Sequence, residues 1–347
     1  MNSVDADIHN IKYFTSTEPF VLESGRVLPG VTIAYHTFGI LSPEADNAVW
    51  VMHALTANSD VADWWPHTVE KGKFLDPERH FVVCANVIGS CYGSTGPLSP
   101  LADGTPPLYE EFPDLTVRDM VNAHGLLMKH LGIRQIDTII GSSLGGFQAL
   151  EWLVSEPDVA RKAVLCATDF QCRPWLAAIN MAMYMAIHAD PTFGEKRPDA
   201  ARKGLEAARA IALLSYRSYA AYDSTQADPP QRDDPFTRRV HSYQAYQGKK
   251  LADRFDVYSY LRMCRSSDTH DVSRGRGSFA EALGRIRAKC LVVAISSDIL
   301  FPPSYHRELA DLIPDARLEI IESEFAHDGF LIEHRQLDNL ISQFYKE

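Results

Sequence analysis

The segment around Ser143 carries the pattern Gly-x-Ser-x-Gly, formed by Gly141, Ser142, Ser143, Leu144 and Gly145. An apolar, β-branched stretch precedes it, and a helix-like stretch follows it. In that setting the pattern is typical of a sharp strand-to-helix turn, which strains the backbone and lifts the serine hydroxyl above a sheet. We therefore expect Ser143 to be a nucleophile. The alternative is a glycine-rich turn of an unrelated α/β protein.

A serine hydroxyl needs an adjacent base, and that base needs a third group to orient it. After a turn of this kind the partners follow along the chain in the order acid, then histidine. Asp298 ends an apolar, strand-like run that starts at Cys290, and Pro302 and Pro303 keep that run from continuing. Because parallel strands bind ligands at their carboxyl ends, we expect Asp298 to be the acid. A turn or helix-capping aspartate is the alternative.

His327 is the expected base. It follows a second strand-like run, residues 316–323, and it precedes Gly329 in a loop. His306 and His334 are its competitors, but both fall in segments that resemble surface helices. We therefore expect His327 to accept the Ser143 proton while Asp298 holds the imidazole.

Two backbone N–H groups should stabilise the oxyanion that forms when Ser143 attacks an acyl carbonyl. Leu144, directly after the nucleophile, is expected to supply one of them. The other should come from Leu55, in the loop after the strand-like run 47–54. His53 lies in the same loop but precedes the nucleophile, so we expect it to brace that loop.

Several longer motifs accompany the serine motif. They are His53–Thr56, Asn86–Ser90, Phe112-Pro113, Thr116–Val121, Ser143–Gly146, Gln148–Trp152, Ser215–Ser218, Ser296–Pro303 and His327-Asp328. The block Cys91-Tyr92-Gly93-Ser94-Thr95-Gly96-Pro97 is more specific than the serine motif, since ordinary esterases of the α/β-hydrolase fold lack it. Together these motifs resemble the homoserine O-acetyltransferase family over nearly the whole chain.

The resemblance implies transfer of an acetyl group from acetyl-CoA to the hydroxyl of L-homoserine, a step that commits homoserine to methionine synthesis. It implies a ping-pong route through acyl-Ser143, with Asp298 as orienting acid and His327 as base. Leu55 and Leu144 would form the oxyanion hole. It also implies a homodimer joined through a helical lid.

Arg217 and Asp328 match the family's homoserine-binding positions. A guanidinium offers a planar fork to a carboxylate, and a carboxylate can accept from an ammonium group. A solvated helix-face arginine and a loop-capping acid are the respective alternatives. Two departures from the family are Ala57, where glycine is common, and Leu144, where methionine is common. Ala57 requires the loop to avoid a positive φ.

The same residues leave alternatives to this function open. Succinyl-CoA could replace acetyl-CoA, and serine could replace homoserine. A serine esterase or hydrolase would use an identical triad, with water resolving the acyl-enzyme in place of an alcohol. A non-catalytic member of the fold is the least favoured alternative, because all three triad positions are filled.

The 347 residues carry a formal net charge of −11, which argues against binding to nucleic acid or anionic membranes. The same charge opposes coenzyme A, so acetyl-CoA would need a local basic rim. The visible basic clusters are Lys249, Lys250, Arg232, Arg238 and Arg239. Solvated surface charge is the alternative for each of them.

No apolar stretch is long enough for a membrane span, and residues 1–7 are polar and acidic, unlike a signal peptide. The six cysteines form no Cys-x-x-Cys pair, and we expect them to be reduced. Cys91 is the one that could lie near the active site. We therefore expect a cytoplasmic protein with no metal and no permanently bound cofactor.

The order of strand-like runs predicts an α/β-hydrolase fold, a mostly parallel sheet with helices on both faces. The runs lie near 31–37, 48–54, 80–87, 137–142, 161–167, 290–296 and 317–322. Residues 173–283 interrupt the alternation and include a predicted long helix, 201–219. We expect a core formed by 1–172 and 284–347, with 173–283 as an inserted helical lid.

Overall fold

The computed structural model describes residues 10–102, 104–231 and 234–347. Arg232 and the polar residues 1–7 lie outside the described residues. The strands are β1 (Lys12–Ser16), β2 (Phe20–Val21), β3 (Val27–Leu28), β4 (Val31–Phe38), β5 (Ala48–Met52), β6 (Phe81–Ala85), β7 (Ile136–Ser142), β8 (Ala160–Cys166), β9 (Lys289–Ile295) and β10 (Ala316–Ile321).

Twelve α-helices are present in these described ranges. They are α1 (Val61–Trp64), α2 (Val117–His130), α3 (Leu144–Ser155), α4 (Pro174–His188), α5 (Arg202–Tyr216), α6 (Tyr219–Gln226), α7 (Arg239–Ala252), α8 (Val257–Asp268), α9 (Phe279–Leu283), α10 (Pro303–Leu312), α11 (Gly329–Ile332) and α12 (His334–Phe344). Two 3₁₀-helices, Tyr109–Glu111 and Ala326–Asp328, complete the regular structure of that part of the chain.

Eight strands form one sheet in the order β1-β4-β6-β5-β7-β8-β9-β10. β4 pairs antiparallel with both β1 and β6, and every other pairing in this sheet is parallel. β2 and β3 form a separate antiparallel pair. The predicted mostly parallel sheet is thus confirmed, and each strand-like run of the sequence corresponds to a strand.

The sheet is buried on both faces, as the alternation along β5 shows. Trp50 and Met52 belong to one apolar core with α2, α3 and α10, whereas Val49 and Val51 belong to a second core with α1 and α12. Since successive side chains of a strand point to opposite faces, helices cover both sides of the sheet. This arrangement leaves the carboxyl ends of the parallel strands as the place where loops can form a site.

Six helices, α4 to α9, lie along the chain between β8 and β9. Within them the predicted helix 201–219 is wrong in its extent, because α5 ends at Tyr216 and α6 begins at Tyr219. The break occurs because Ser218 is extended and caps α6, accepting a hydrogen bond from the Ala221 N–H. The boundaries of a lid at 173 and 283 stay a prediction.

In the described part of the chain, no helix combines the length and apolar character that a bilayer span requires. All six cysteines are free thiols. Among the residues that the structure describes, no group of three or more His, Cys, Asp or Glu side chains could hold a metal ion.

Candidate active site

The turn at Ser143 is as tight as its sequence predicts. β7 ends at Ser142 and α3 begins at Leu144, leaving Ser143 alone between them with φ 56° and ψ −125°. A Cβ on Gly145 would stand 2.0 Å from the Met52 carbonyl oxygen, and one on Gly141 would stand 2.3 Å from the Gly145 carbonyl oxygen. Only glycine fits at these two positions. The positive φ marks backbone strain of the kind found at nucleophiles.

His327 bridges the serine and the aspartate. Its Nε2 lies 2.9 Å from Ser143 Oγ, and its Nδ1 lies 2.8 Å from Asp298 Oδ2. The other Asp298 oxygen, Oδ1, accepts from the backbone N–H groups of Leu300 and Phe301 at 2.7 and 3.0 Å. Asp298 and His327 are both buried. The carboxylate is therefore fixed by its own loop and can orient the imidazole toward Ser143.

The two competing histidines lie elsewhere. His306 lies in α10, a helix with an exposed face as expected, but its own side chain is completely buried on the inner face of that helix. Its Nε2 accepts from the Thr168 N–H at 3.0 Å, and burial lowers its pKa to about 4. His334 begins α12, and its Nδ1 bonds the Ile332 carbonyl oxygen at 3.0 Å. Neither is hydrogen-bonded to Ser143 or Asp298.

The loop after β5 places Leu55 in the wall of the cavity that contains Ser143. His53 is completely buried just before it, and burial lowers its pKa to about 4. The His53 Nε2 accepts from the Val87 N–H at 3.2 Å, so its Nδ1 carries the proton and donates to the Ala54 carbonyl oxygen at 2.9 Å. His53 thus braces the loop as the sequence predicts. Leu144 opens α3 on the other side of the serine.

A cavity of about 580 Å³ opens over the serine. Ser143, His327 and Asp328 share its wall with three basic side chains, Arg209, Lys250 and Arg254. Lys250 was among the predicted basic residues, whereas Arg209 and Arg254 were missed. The sequence signal for Arg209 is its place seven residues before Tyr216 on α5, which puts both side chains on one helix face.

Arg217 and Asp328 contact each other directly. The Arg217 Nε donates to Asp328 Oδ2 at 3.0 Å, and both side chains are partly exposed. Arg217 lies in the extended link between α5 and α6, and its guanidinium also stands over the Tyr243 ring at 5.5 Å. The pair therefore presents one positive and one negative group beside His327, the charges that a zwitterion requires.

Four other residues singled out in the sequence, Arg238, Arg239, Lys249 and Cys91, are not part of this cavity's wall. Arg238 pairs with Asp228, and Lys249 lies on an exposed stretch of α7. Cys91 is not part of the cavity wall, since its thiol donates to the Arg254 carbonyl oxygen at 3.5 Å and burial raises its pKa to about 12. Ala57, in contrast, lies in the cavity wall, and its φ is not positive, as expected for alanine where the family commonly has glycine.

Similarity to known proteins identifies the family of this chain. Residues 47–333 match the α/β hydrolase fold family. The homoserine O-acetyltransferase of Cyclobacterium marinum is 40% identical over 334 residues, covering 96% of this chain and 95% of that one. The homoserine O-acetyltransferase of Nostoc punctiforme is 39% identical over 343 residues, with coverage of 96% and 95%.

Among solved structures, the homoserine O-acetyltransferase of Staphylococcus aureus shares 28% identity with a TM-score of 0.79, and the match covers 97% of this chain and 96% of that one. The expected α/β-hydrolase fold and the expected family resemblance are thus confirmed. The chain belongs to the homoserine O-acetyltransferase family.

Proposed function

We propose that the protein transfers an acetyl group from acetyl-CoA to the hydroxyl of L-homoserine, giving O-acetyl-L-homoserine and CoA. One observation carries the proposal. A Ser143–His327–Asp298 relay opens into the same cavity as Asp328, which holds Arg217 in an ion pair. The relay supplies acyl transfer, and the ion pair supplies recognition of an amino acid. Family membership supports the same substrates, and the product serves methionine synthesis.

In the first half-reaction Ser143 Oγ attacks the thioester carbonyl carbon, and its proton passes to His327 Nε2. The carbonyl electron pair moves to the oxygen, where the N–H groups of Leu55 and Leu144 stabilise the oxyanion. When the pair returns, the carbon–sulfur bond breaks and the thiolate takes the proton from His327. The products are acetyl-Ser143 and CoA.

In the second half-reaction the homoserine hydroxyl attacks the acetyl-serine carbonyl, and its proton passes to His327 Nε2. Collapse of the second tetrahedral intermediate breaks the bond to Ser143 Oγ, which recovers the proton. Homoserine must be held by its charged end so that its hydroxyl reaches the carbonyl carbon. We assign the homoserine carboxylate to Arg217 and its ammonium group to Asp328. The ion pair between Arg217 and Asp328 separates when homoserine binds between them.

Acetyl-CoA enters this scheme as a cosubstrate and not as a resident cofactor. CoA is anionic and the chain is acidic overall, so local positive charge is required where it binds. Arg209, Lys250 and Arg254 supply that charge at the cavity wall. We therefore assign the phosphate groups of CoA to these three side chains, in place of the cluster around Arg238.

We also propose a cytoplasmic homodimer that forms through the lid. Three large apolar side chains of α4 support this assembly, because Trp175, Met181 and Met185 are 49%, 54% and 62% exposed. Apolar side chains exposed together on one helix are typical of an interface. Sedimentation of the purified protein measures the assembly directly, and a monomer would contradict it.

The experiment that tests the function measures CoA release with each pairing of acetyl-CoA or succinyl-CoA with homoserine or serine. We expect rapid turnover only with acetyl-CoA and homoserine, together with formation of O-acetyl-L-homoserine. Equal CoA release with and without an amino acid would identify a hydrolase instead. Preference for succinyl-CoA or for serine would reassign the donor or the acceptor.

A further inference from the structure

The peptide between Ser143 and Leu144 is held at its carbonyl end by a side chain from a neighbouring strand end. Thr168 is completely buried two residues beyond β8, and its Oγ1 donates to the Ser143 carbonyl oxygen at 3.0 Å. Because a peptide unit is planar and trans, fixing this oxygen fixes the direction of the Leu144 N–H at the opposite end. Two other donors to that oxygen, the N–H groups of Gly146 and Phe147, belong to the first turn of α3.

The surrounding residues make room for Thr168 and hold it in place. A Cβ on Gly146 would lie 2.3 Å from Thr168 Oγ1, so the absence of a side chain there admits the threonine. The Thr168 N–H donates to His306 Nε2 at 3.0 Å, and His306 Nδ1 bonds the Pro302 carbonyl oxygen at 3.3 Å. This chain of contacts connects the loop of the triad aspartate to the peptide that follows the nucleophile.

The other oxyanion donor has the same arrangement. The carbonyl of the Ala54–Leu55 peptide accepts from His53 Nδ1 at 2.9 Å and from the Ala57 N–H at 3.0 Å. In each of the two peptides expected to stabilise the oxyanion, the carbonyl oxygen thus accepts a hydrogen bond from a buried side chain. A hydrogen bond accepted by a peptide oxygen also polarises the amide, which strengthens its N–H as a donor.

We propose that Thr168 is a positioning residue of the oxyanion hole, whose hydroxyl orients and polarises the Ser143–Leu144 peptide toward the transition state. The proposal rests on the proposed function only in assigning the Leu144 N–H to the oxyanion. Since the oxyanion exists only in the tetrahedral states, loss of the hydroxyl should lower kcat and leave KM nearly unchanged.

The test compares wild type with Thr168→Val, Thr168→Ser and Thr168→Ala. Wild type and Thr168→Val differ in one hydroxyl group, and so do Thr168→Ser and Thr168→Ala, so each of these two comparisons isolates the effect of the hydroxyl. The comparison of Thr168→Ser with Thr168→Ala remains available if Thr168→Val does not fold. Thr138→Val is the matched control, because Thr138 is equally buried but its Oγ1 donates to Asp137 Oδ2 at 2.9 Å, near the start of β7. The readouts are the maximal rate constant of the acylation burst with p-nitrophenyl acetate and the ester concentration that gives half of it, here called kcat and KM, and inhibition by a boronic acid whose serine adduct is tetrahedral.

Removing an oxyanion donor outright costs roughly 10²- to 10³-fold in kcat, so we expect Thr168→Val to lower kcat by roughly 10- to 100-fold. Boronic acid affinity should fall in parallel, Thr168→Ser should stay near wild type, and Thr138→Val should be unaffected. A wild-type kcat in both hydroxyl-free variants, or a kcat in Thr168→Ser as low as that in Thr168→Ala, would overturn the proposal. So would a lower kcat with undiminished boronic acid affinity.

The acylation readout does not depend on homoserine. Wild-type protein that is acylated by the ester but does not acetylate homoserine would refute the proposed function while leaving this test intact. Wild-type transfer to homoserine with no difference between Thr168→Val and Thr138→Val would refute the role of Thr168 alone.

Discussion

Arg217 pairs with Asp328, although we propose that each contacts a different end of homoserine. The Nε–Oδ2 contact of 3.0 Å compensates the charge of each group. A zwitterion replaces this one pair by two, one at each end. Under the proposed function the pair would offer one charge of each sign to an amino acid, whereas water has no charged end for it to hold.

Arg217→Ala should raise the homoserine KM by roughly 10- to 100-fold, because a hydrogen bond to a charged partner contributes about 1.5–3 kcal/mol. Arg217→Lys should rescue poorly, since an ammonium group lacks the planar fork. The burst of CoA release from acetyl-CoA should persist in both variants. Rapid-mixing kinetics of CoA release, with and without homoserine, separates the two phases.

Arg161→Ala is the matched control for that experiment. Arg161 also pairs with an aspartate, Asp46, at 2.8 Å, but at the amino-terminal edge of the sheet. It should leave both phases unchanged. Equal loss of the burst and of the homoserine phase in Arg217→Ala would instead place Arg217 in folding or in the CoA site.

The three predicted triad residues come from positions where chain order restricts the choice, and the structure brings them within hydrogen-bond distance of one another. Ser143, Asp298 and His327 each follow a strand-like run, and the order acid then histidine left few candidates. Arg254 had no such signal, because it approaches the cavity only through the folding of the segment between α7 and α8. The burial of the His306 side chain was not predicted, because the sequence of α10 does not show which face of this surface helix packs on the sheet.

At the scale of elements, the close approach of α3 to β5 sets the geometry of the nucleophile. Gly145 makes it possible, since its Cβ would overlap the Met52 carbonyl oxygen at 2.0 Å. Backbone cannot move aside as a flexible side chain can. The helix that presents Leu144 and the strand that leads to Leu55 therefore keep their spacing only with glycine at this position.

Gly145→Ala should destabilise the protein by about 2 kcal/mol or more, and it should abolish acyl transfer. Gly125→Ala is the matched control, because Gly125 lies inside α2 and the nearest atom to its added Cβ is 4.0 Å away. There we expect a gain of about 0.5–1 kcal/mol, from the better helix propensity of alanine. Urea unfolding measures both. A change in the free energy of unfolding of the same sign in Gly145→Ala and Gly125→Ala would contradict this account.

The sequence predicts elements well where they are long and apolar. The buried strands β5 to β9 were each found, because continuous apolar runs are typical of parallel strands. β1, β2 and β3 were not found, since β2 and β3 have two residues each and β1 has no fully buried residue. The break at Arg217 was missed because Ser218 caps α6 while contacting the Glu324 carbonyl oxygen, a partner far along the chain.

At the scale of the whole molecule, four completely or nearly completely buried histidines affect stability together. They are His53, His124, His270 and His306, and burial lowers the pKa of each to about 4. Unfolded histidine has a pKa of about 6.5, so between these values the unfolded chain binds protons that the folded protein does not. The free energy of unfolding should therefore fall as the pH falls from about 6.5 toward 4.

His270→Gln should reduce that dependence by about one proton. Glutamine cannot be protonated, and its amide can replace the hydrogen bond from His270 Nε2 to the Asp169 carbonyl oxygen. Denaturant unfolding of both proteins at pH 7.5 and pH 5 gives the change, and every other titrating group cancels in the comparison. Identical pH dependence in wild type and variant would show that folding leaves the pKa of His270 at its unfolded value, which would contradict this account.

The central claim is that Ser143 carries the acetyl group between donor and acceptor. The most direct measurement is peptide mass spectrometry of the protein after rapid mixing with acetyl-CoA alone, and again after homoserine is added. We predict one acetyl group on Ser143 in the first sample, its loss in the second together with O-acetyl-L-homoserine, and no adduct in Ser143→Ala. An acetyl group on another residue such as Cys91, or transfer to homoserine that persists in Ser143→Ala, would contradict the claim.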